Sequence, residues 1–175
     1  REIQGFYSQD ELQLLVDRRS TRKDPREYKI NQNIVDKDRL CHFEAIKRVA
    51  ENIAITDKDG KLRGGKRKSL LVMATGSGKT RNSAAIVDML TKCNWVKRVL
   101  FLADRNALVT QAKNSFKETL PELSSIDLTK EKEDNSTRLV FSTYPTIINK
   151  IDKVKIEDQR FYSVGHFDLI IIDEA

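Results

Sequence analysis

The sequence predicts an α/β fold in which a mostly parallel sheet is covered by helices on both faces. Segments with strand character alternate with segments of helical periodicity from residue 69 onward. Several strand segments are continuously apolar, which indicates burial on both faces and therefore a parallel sheet. A glycine-containing stretch, MATGSGKT at 73–80, joins the first of these strands to the first of these helices, an arrangement typical of loops that bind phosphate.

Length and composition indicate one globular domain. The chain has 175 residues, of which 39% are hydrophobic and 33% charged, and no apolar run approaches the roughly 18 residues of a membrane span. The formal charge of +6 favours polyanionic partners. Cys41 and Cys93 are far apart and form no C-x-x-C motif, so we expect buried free thiols and a cytoplasmic protein. Because the chain begins at Arg1 rather than Met and shows no signal peptide, we expect it to be part of a longer protein.

The N-terminal part predicts a connecting segment followed by a helix. Residues 1–38 are polar and charge-rich, with a short amphipathic stretch, DELQLLV, that predicts one short helix. Residues 36–55 predict a longer helix, for which Asp36 or Asp38 could be the cap. Residues 56–68 predict a solvated loop, whose basic end could also meet phosphates. The expected apolar face of the longer helix comprises Phe43, Ile46, Ala50 and Ile53.

Residues 39–175 are expected to form the main domain. Asp104 is the expected cap of the second helix after the glycine-containing loop. The polar stretch 121–137 predicts mostly loop, with a short strand. The apolar face of that second helix should comprise Leu108, Val109, Ala112 and Phe116. Strands are predicted at SLLVMA, RVLFLA, RLVFST and FDLIIIDEA, and helices at KTRNSAAIVDMLTK, RNALVTQAKNSFKETL and YPTIINKI.

The glycine-containing loop predicts a nucleotide-phosphate site. It departs from the common G-x-x-x-x-G-K-[ST] pattern at the first glycine position, which is Met73. Gly76 and Gly78 permit backbone conformations that point several N–H groups at one anion, and the next helix adds its N-terminal field. We expect Lys79 to reach the outer phosphates and assist catalysis, and Thr80 to bind magnesium. The alternative is a glycine turn with a chance Lys-Thr. The expected nucleotide-binding residues here are Thr75, Gly76, Ser77, Gly78, Lys79, Thr80 and Arg81.

The C-terminal stretch LIIIDEA predicts the catalytic acids. It places Asp173 at the carboxyl edge of a buried strand, where ligand sites lie in open parallel sheets. Asp173 is expected to hold magnesium through water, and Glu174 to orient and deprotonate a water that attacks the γ-phosphate. The alternative is a strand end with two surface acids. Together with the loop, the pair predicts hydrolysis of a nucleoside triphosphate.

These motifs resemble those of a known superfamily. MATGSGKT followed by IIIDEA is similar to motifs I and II of superfamily 2 helicases and translocases of the DEAD/DEAH type. VLFLADRNALVTQAKNSF resembles motif Ia, and VFSTYPTI resembles the motif Ib region. The combination of FLADRNALVTQA, STYPT and FDLIIIDEA most resembles the restriction (R) subunit of type I restriction–modification enzymes. The resemblance covers roughly residues 30–175 and implies the first RecA-like P-loop NTPase domain of such a subunit.

The resemblance also implies cofactors and partners. ATP and Mg²⁺ would be the cofactors, duplex DNA the substrate that is pumped, and the specificity and methyltransferase subunits of a restriction complex the partners. No membrane is implied. In this superfamily a second motor domain supplies arginine fingers, so we expect residues 1–175 alone to have weak or no ATPase activity.

Two further groups of residues take expected roles from the resemblance. Arg105, Asn106 and Thr143 lie in segments that touch the nucleic-acid backbone in the superfamily. RLCHFEAI matches an adenine-reading element, which implies that Arg39 and His42 bind ATP, with His42 where that element has glutamine. A histidine on a helix surface is the alternative for His42.

Other functions stay open at this point. Another superfamily 2 motor, such as a type III restriction subunit, a repair helicase or an RNA helicase, would differ in the sequence upstream of Arg1. A small-molecule kinase would need an acceptor pocket that nothing in the sequence marks. A nucleic-acid-binding module without catalysis is disfavoured by the intact Lys79, Thr80, Asp173 and Glu174. His166 is expected to be structural.

Overall fold

The structure is a computed structural model that describes residues 7–35, 38–134, 136–151, 153, 155–156 and 159–173. The chain divides into two compact units, one of residues 1–20 and 96–175 and one of residues 21–95. The helices of the described residues are α1 (Gln9–Ser20), a 3₁₀ helix (Pro25–Glu27), α2 (Leu40–Ile53), α3 (Lys79–Lys92), α4 (Asn106–Thr119) and α5 (Tyr144–Ile151). The strands are β1 (Ala54–Thr56), β2 (Leu62–Gly64), β3 (Val99–Ala103), β4 (Ser125–Asp127), β5 (Leu139–Thr143), β6 (Lys155–Ile156), β7 (Gln159–Arg160) and β8 (Leu169–Ile172).

A parallel sheet forms the centre of the unit that contains residues 96–175. Its strand order is β4-β5-β3-β8, and every neighbouring pair is parallel. Val99 at the start of β3 pairs with Leu139 on one side and Leu169 on the other. Because the strands run in the same direction, their carboxyl ends meet at one edge of the sheet. The α/β class and the parallel sheet predicted from the sequence are confirmed.

Both faces of this sheet are covered. Phe101 and Phe141 project from β3 and β5 toward α4, where their ring centroids lie 5.7 and 5.2 Å from that of Phe116. The strands β3 and β5 are buried along their whole length, as continuous apolar runs predict. The opposite face packs in a cluster of Leu100, Leu102, Leu128, Val140, Ile147 and Tyr162.

The edge strand β8 differs from the two central strands. Its burial alternates, and Ile170 and Ile172 are 54% and 48% exposed. The adjoining loop contains His166, which is buried, and the Nε2 of this histidine lies 2.7 Å from an oxygen of Glu133. The prediction that His166 is structural agrees with this packing.

The short helix predicted near the N-terminus is confirmed as α1, and it is fixed to the loop before β8. Arg18 forms a 2.7 Å ion pair with Asp168, and Ser163 donates a hydrogen bond to Glu11. The same Asp168 oxygen accepts the backbone N–H groups of Lys97 and Arg98 at 2.8 and 3.0 Å. A single carboxylate therefore joins α1 to the start of β3.

The unit of residues 21–95 is built around α2 and α3. The predicted apolar face of α2 is confirmed for Ile46 and Ala50, which are buried, whereas Phe43 and Ile53 are half-buried. The buried side also includes His42 and Val49. The predicted cap is wrong for Asp38, because the helix begins one residue later and Arg39 is its N-cap, without a side-chain cap bond; Asp36 lies outside the described residues. The prediction of two buried thiols is wrong for Cys41, which is exposed on the first turn of α2, whereas Cys93 is buried.

The chain between α2 and α3 departs from the sequence prediction in two places. The expected loop at 56–68 contains an antiparallel hairpin of β1 and β2, with Ile55 paired to Arg63. The expected strand at 69–74 is not formed, and Leu70 and Val72 are 86% and 89% exposed. Within the described residues no strand pairs with this stretch, and without a ladder its backbone groups lack sheet hydrogen bonds. Among the helices of the described ranges, none is long and apolar enough to cross a membrane.

Candidate active site

The loop that precedes α3 turns on two glycines. Gly76 and Gly78 have φ angles of +75° and +92°, a left-handed region that only glycine enters at little cost. The Ser77 backbone N–H and hydroxyl both donate to the Ala74 carbonyl, at 3.2 and 2.7 Å. Gly78 is the N-cap of α3, and its carbonyl accepts the first helical bond from Asn82 at 3.0 Å. The loop therefore delivers the chain directly into the N-terminus of α3.

This geometry fits phosphate. The first N–H groups of an α-helix have no partner within the helix, and the helix field there favours anions. A Cβ placed on Gly76 would find no described atom within 4 Å, so the space beside this residue is open. Lys79 and Thr80, the first two residues of α3, are half-buried, whereas Thr75 and Arg81 are exposed. The loop thus presents backbone donors, one cation and one hydroxyl at a helix N-terminus.

Two side chains at the start of α2, those of Arg39 and His42, hold the loop through one carbonyl oxygen. The Nε2 of His42 lies 2.6 Å from the Ser77 carbonyl oxygen, and the Arg39 guanidinium donates to the same oxygen at 3.0 Å. A Cβ on Gly78 would lie 2.8 Å from the His42 Cε1, a distance that real Cβ atoms do not show. The absence of a side chain at Gly78 is therefore required by its φ angle and by the imidazole.

The contact also fixes how His42 can be protonated. A carbonyl oxygen can only accept, so Nε2 must carry the hydrogen and donate. His42 is 1% exposed, and its Nδ1 has no hydrogen-bond partner among the described residues. The sequence-based roles of Arg39 and His42 in ATP binding stay predictions. What the structure adds is a direct contact of both residues with Ser77.

Asn82 is a further polar residue near the loop, and none of the sequence motifs includes it. This residue is fully buried in α3, and its amide nitrogen lies 3.3 Å from the Met73 sulfur. Its Oδ1 has no hydrogen-bond partner among the described residues. Asn82 and Asp88 are the polar residues that α3 buries among apolar ones, and a polar position on that side of the helix was the signal that could have identified Asn82. Buried polar groups are usually paired, so Asn82 marks a polar interior next to the loop.

The carboxyl edge of the parallel sheet gathers the other predicted residues. Asp173 follows β8, and its backbone N–H donates to the Leu102 carbonyl at 2.9 Å. Arg105 follows β3 and is 80% exposed, with an ion pair of 3.3 Å to Asp104. Thr143 ends β5, is 6% exposed, and its hydroxyl lies 2.9 Å from that of Thr146. Strand register therefore brings these residues to one edge.

Two details at this edge bear on the predictions. The expected cap Asp104 is wrong, because Arg105 is the N-cap of α4 and has extended backbone angles, with φ −127° and ψ 144°. The turn into the helix thus comes one residue later. Asn106 is the exposed first residue of α4. Glu174, the predicted base, lies outside the described residues.

The described residues do not form a metal site from protein side chains alone. In the part of the chain that the structure describes, no group of three or more His, Cys, Asp and Glu residues could hold a metal ion. The predicted magnesium ligands are Thr80 and Asp173. Magnesium usually retains several waters and binds through one or two protein oxygens plus substrate phosphates, so both roles stay predictions.

Comparison with known proteins places these motifs in a family context. A family model described as "Type III restriction enzyme, res subunit" matches residues 37–175. The chain is 30% identical over 118 residues to the type I restriction enzyme EcoKI endonuclease subunit of Escherichia coli (strain K12). It is 37% identical over 115 residues to the type I restriction enzyme EcoAI endonuclease subunit of Escherichia coli. Each match covers 63% of this chain but 10% and 13% of those subunits.

Proposed function

Because the chain belongs to the family described as type III restriction enzyme, res subunit, we propose that it is the ATP-binding motor domain of a DNA translocase. It would hydrolyse ATP to pump duplex DNA as part of the R subunit of a type I restriction endonuclease. The family supports a helicase-type domain, and both relatives are endonuclease subunits of type I restriction enzymes. Since the chain spans only about a tenth of their length, the activity of a whole subunit is part of the proposal.

The loop conformation is the observation that carries this proposal. Two left-handed glycines at 76 and 78 lead into the N-terminus of α3, and this arrangement of backbone donors suits the β- and γ-phosphates. Lys79 would neutralise charge on the outer phosphates, and the hydroxyl of Thr80 would bind the magnesium ion. Bound ATP with magnesium would supply the phosphoanhydride whose hydrolysis releases the free energy for movement.

The carboxyl edge of the sheet would supply the remaining chemistry. The Asp173 carboxylate would hold magnesium through water, and Glu174 would accept a proton from the water that attacks the γ-phosphate. The exposed guanidinium of Arg105, with Asn106 and Thr143, would follow the DNA backbone. Contacts to phosphates position a protein without reading sequence, which a motor moving over any DNA requires.

The partners follow from the same proposal. A type I assignment implies specificity and methyltransferase subunits in the same complex, and a cytoplasmic location. A second candidate is the motor of a type III restriction subunit, which the description of the matching family favours. Co-purification with a specificity subunit would support the type I assignment, and its absence from an intact complex would favour the second candidate.

Two substitutions in the full-length protein test the proposed chemistry. Lys79→Ala should abolish ATP-dependent translocation because it removes the cation at the outer phosphates. Glu174→Gln keeps the shape of the side chain without the base, so ATP binding should persist while hydrolysis falls by roughly 10²–10⁴. Lys47→Ala, at an exposed position of α2, serves as the control. Wild-type turnover in Lys79→Ala would refute the proposal, and equal loss of binding and hydrolysis in Glu174→Gln would give that residue a structural role.

A further inference from the structure

Positive charge is concentrated in one short segment outside the predicted site. Residues 56–69 contain six Lys or Arg and two Asp, a net charge of +4 out of the +6 of the whole chain. The segment comprises the β1–β2 turn, strand β2 and the chain that follows. Its cationic members are Lys58, Lys61, Arg63, Lys66, Arg67 and Lys68.

Hydrogen bonds fix the end of this segment against α2. The N–H groups of Gly65 and Lys66 donate to the carbonyls of Ile53 and Asn52 at 2.6 and 2.8 Å. The side-chain amide of Asn52 donates to the Lys68 carbonyl at 3.0 Å, and it also reaches the Ser69 hydroxyl at 2.8 Å. A Cβ on Gly65 would lie 2.4 Å from the Asn52 carbonyl oxygen, so only glycine permits this approach. The basic run is therefore held in place before any partner arrives.

The carboxylate of Asp57 bonds to groups of its own hairpin. One oxygen of Asp57 accepts the N–H groups of Asp59 and Lys61, at 3.1 and 2.8 Å, and the other pairs with Arg63 at 2.8 Å. In contrast, Lys66, Arg67 and Lys68 are exposed and form no ion pair with any described residue. Three cations are consequently available to an external anion.

An open groove of about 450 Å³ lies beside two of these cations, Lys66 and Lys68. The polar residues that line it are Arg48, Glu51, Asn52, Lys66, Lys68 and Ser69. Glu51 is its acidic member, and it is paired with Arg48 at 3.3 Å. Two exposed lysines, an amide and a hydroxyl are groups that bind phosphate oxygens.

We propose that this basic groove, formed by Lys66 and Lys68 with the end of α2 and flanked in sequence by the exposed Arg67, is a second contact surface for the phosphate backbone of duplex DNA. The choice of DNA rests on the proposed function, whereas the surface itself rests on its charge and its fixed backbone. Consecutive exposed cations on a backbone that is held in place suit a continuous polyanion. Neither the glycine-containing loop nor the residues at the carboxyl edge of the sheet contribute to it.

The test is nucleotide-free DNA binding by the full-length protein, measured by fluorescence anisotropy on two duplexes of unrelated sequence. The variant K66Q/R67Q/K68Q should bind both duplexes more weakly, and the slope of log affinity against log salt should become shallower by about 2–3 between roughly 50 and 200 mM salt. K66R/R67K/K68R, which keeps the charges, should restore the slope. K23Q/K29Q/K117Q removes the same charge at exposed positions outside the groove and should behave as wild type.

Several results would overturn the inference. Wild-type affinity and slope in the groove variant would do so, as would an equal loss in the control variant, which would indicate a general charge effect. Poly-glutamate serves as a second, proteinaceous polyanion in the same assay. If the groove variant lost binding to poly-glutamate but bound DNA as wild type does, the partner would be an acidic protein instead. ATP hydrolysis measured on the same samples separates the two proposals. If hydrolysis depends on Lys79 while the groove variant binds DNA normally, only the groove inference fails; if the groove variant loses DNA binding while wild type hydrolyses no ATP, only the proposed function fails.

Discussion

His42 and Ser77 are 35 positions apart, yet the imidazole Nε2 of His42 lies 2.6 Å from the Ser77 carbonyl oxygen. Arg39 donates to that oxygen as well, so α2 constrains the loop through one acceptor. Because the C=O and N–H of one peptide are antiparallel, a Ser77 carbonyl that points toward His42 directs the peptide N–H of Gly78 away from His42. His42 therefore positions the loop at 73–80.

Substitutions at His42 should distinguish loop positioning from adenine recognition. His42→Leu removes the donor to Ser77, and we expect affinity for ATP and GTP to fall together by about tenfold, the scale of one lost buried hydrogen bond. His42→Gln retains a donor and should recover most of the affinity. Equilibrium binding of fluorescent ATP and GTP analogues measures both. A loss confined to ATP would assign His42 to the adenine base instead.

Gly78→Ala should destabilise α3 more than an alanine at another left-handed glycine. Gly60 has a φ of +76° and open space around it, so Gly60→Ala should cost only the left-handed penalty of roughly 1–2 kcal/mol. At Gly78 the new Cβ would also clash with His42. Adding His42→Ala should therefore reduce the Gly78→Ala cost toward that of Gly60→Ala. Hydrogen exchange of the α3 amides reports these values, and equal costs in both backgrounds would show that no clash exists.

Arg105→Gln should weaken DNA binding about equally on unrelated sequences and flatten its salt dependence by about 0.9. The guanidinium is 80% exposed at the N-terminus of α4, where the helix field disfavours a cation that has only a structural role. Lys117→Gln, in the last turn of the same helix, is the matched control. Unchanged affinity and slope would remove Arg105 from the DNA surface, and a loss on one sequence only would contradict backbone tracking.

The unit of residues 21–95 should lose stability at alkaline pH. The Tyr28 hydroxyl donates to Asp88 at 2.8 Å, and burial, together with that bond, raises the pKa of Tyr28 from 10.0 to about 12. The neutral phenol is the form that the fold favours. Its contribution is therefore complete below pH 10 and is lost as the pH rises through about 12. Hydrogen exchange is too fast at this pH, so the fluorescence of the single tryptophan, Trp95, should report the transition.

A pair of variants isolates the contribution of Tyr28. Tyr28→Phe should flatten part of the alkaline loss, while Tyr7→Phe, at an exposed position, should leave it unchanged. Some loss should remain in Tyr28→Phe, because hydrogen bonding to Asp88 also raises the pKa of Lys92 and acts in the same direction. An identical alkaline profile in wild type and Tyr28→Phe would contradict the assignment.

The elements that the sequence predicted well are those whose signal is local. α3 coincides with the predicted helix at 79–92, and β3 and β5 lie within their predicted runs. The spacing of apolar residues in each of these segments indicates the sides of the element that are buried. Phe116 and Ala112 lie on the buried side of α4 as helical spacing requires. The loop at 73–80 turns on Gly76 and Gly78 and leads into α3, as its spacing of glycine, lysine and threonine predicts, whereas its role in binding phosphate stays a prediction.

The features that the sequence could not supply depend on partners distant along the chain. Apolar character at 69–74 predicted a strand, but a strand needs a neighbour, and none pairs with it among the described residues. The helix caps were misplaced by one residue, because Arg39 and Arg105 make the turn where an aspartate was expected. The contact of His42 with Ser77 could not be predicted for the same reason, since the sequence around either residue does not indicate that the two are in contact.

The ion pair between Arg18 and Asp168 has a mechanical consequence. Asp168 also accepts two N–H groups at the start of β3 and donates its own N–H to the Arg98 carbonyl at 3.0 Å. One residue after it, β8 begins and runs straight to Asp173. Tension applied to α1 would therefore reach that strand directly through the Asp168 carboxylate, whereas the bond of Glu11 to Ser163 would act through the loop between Ser163 and β8.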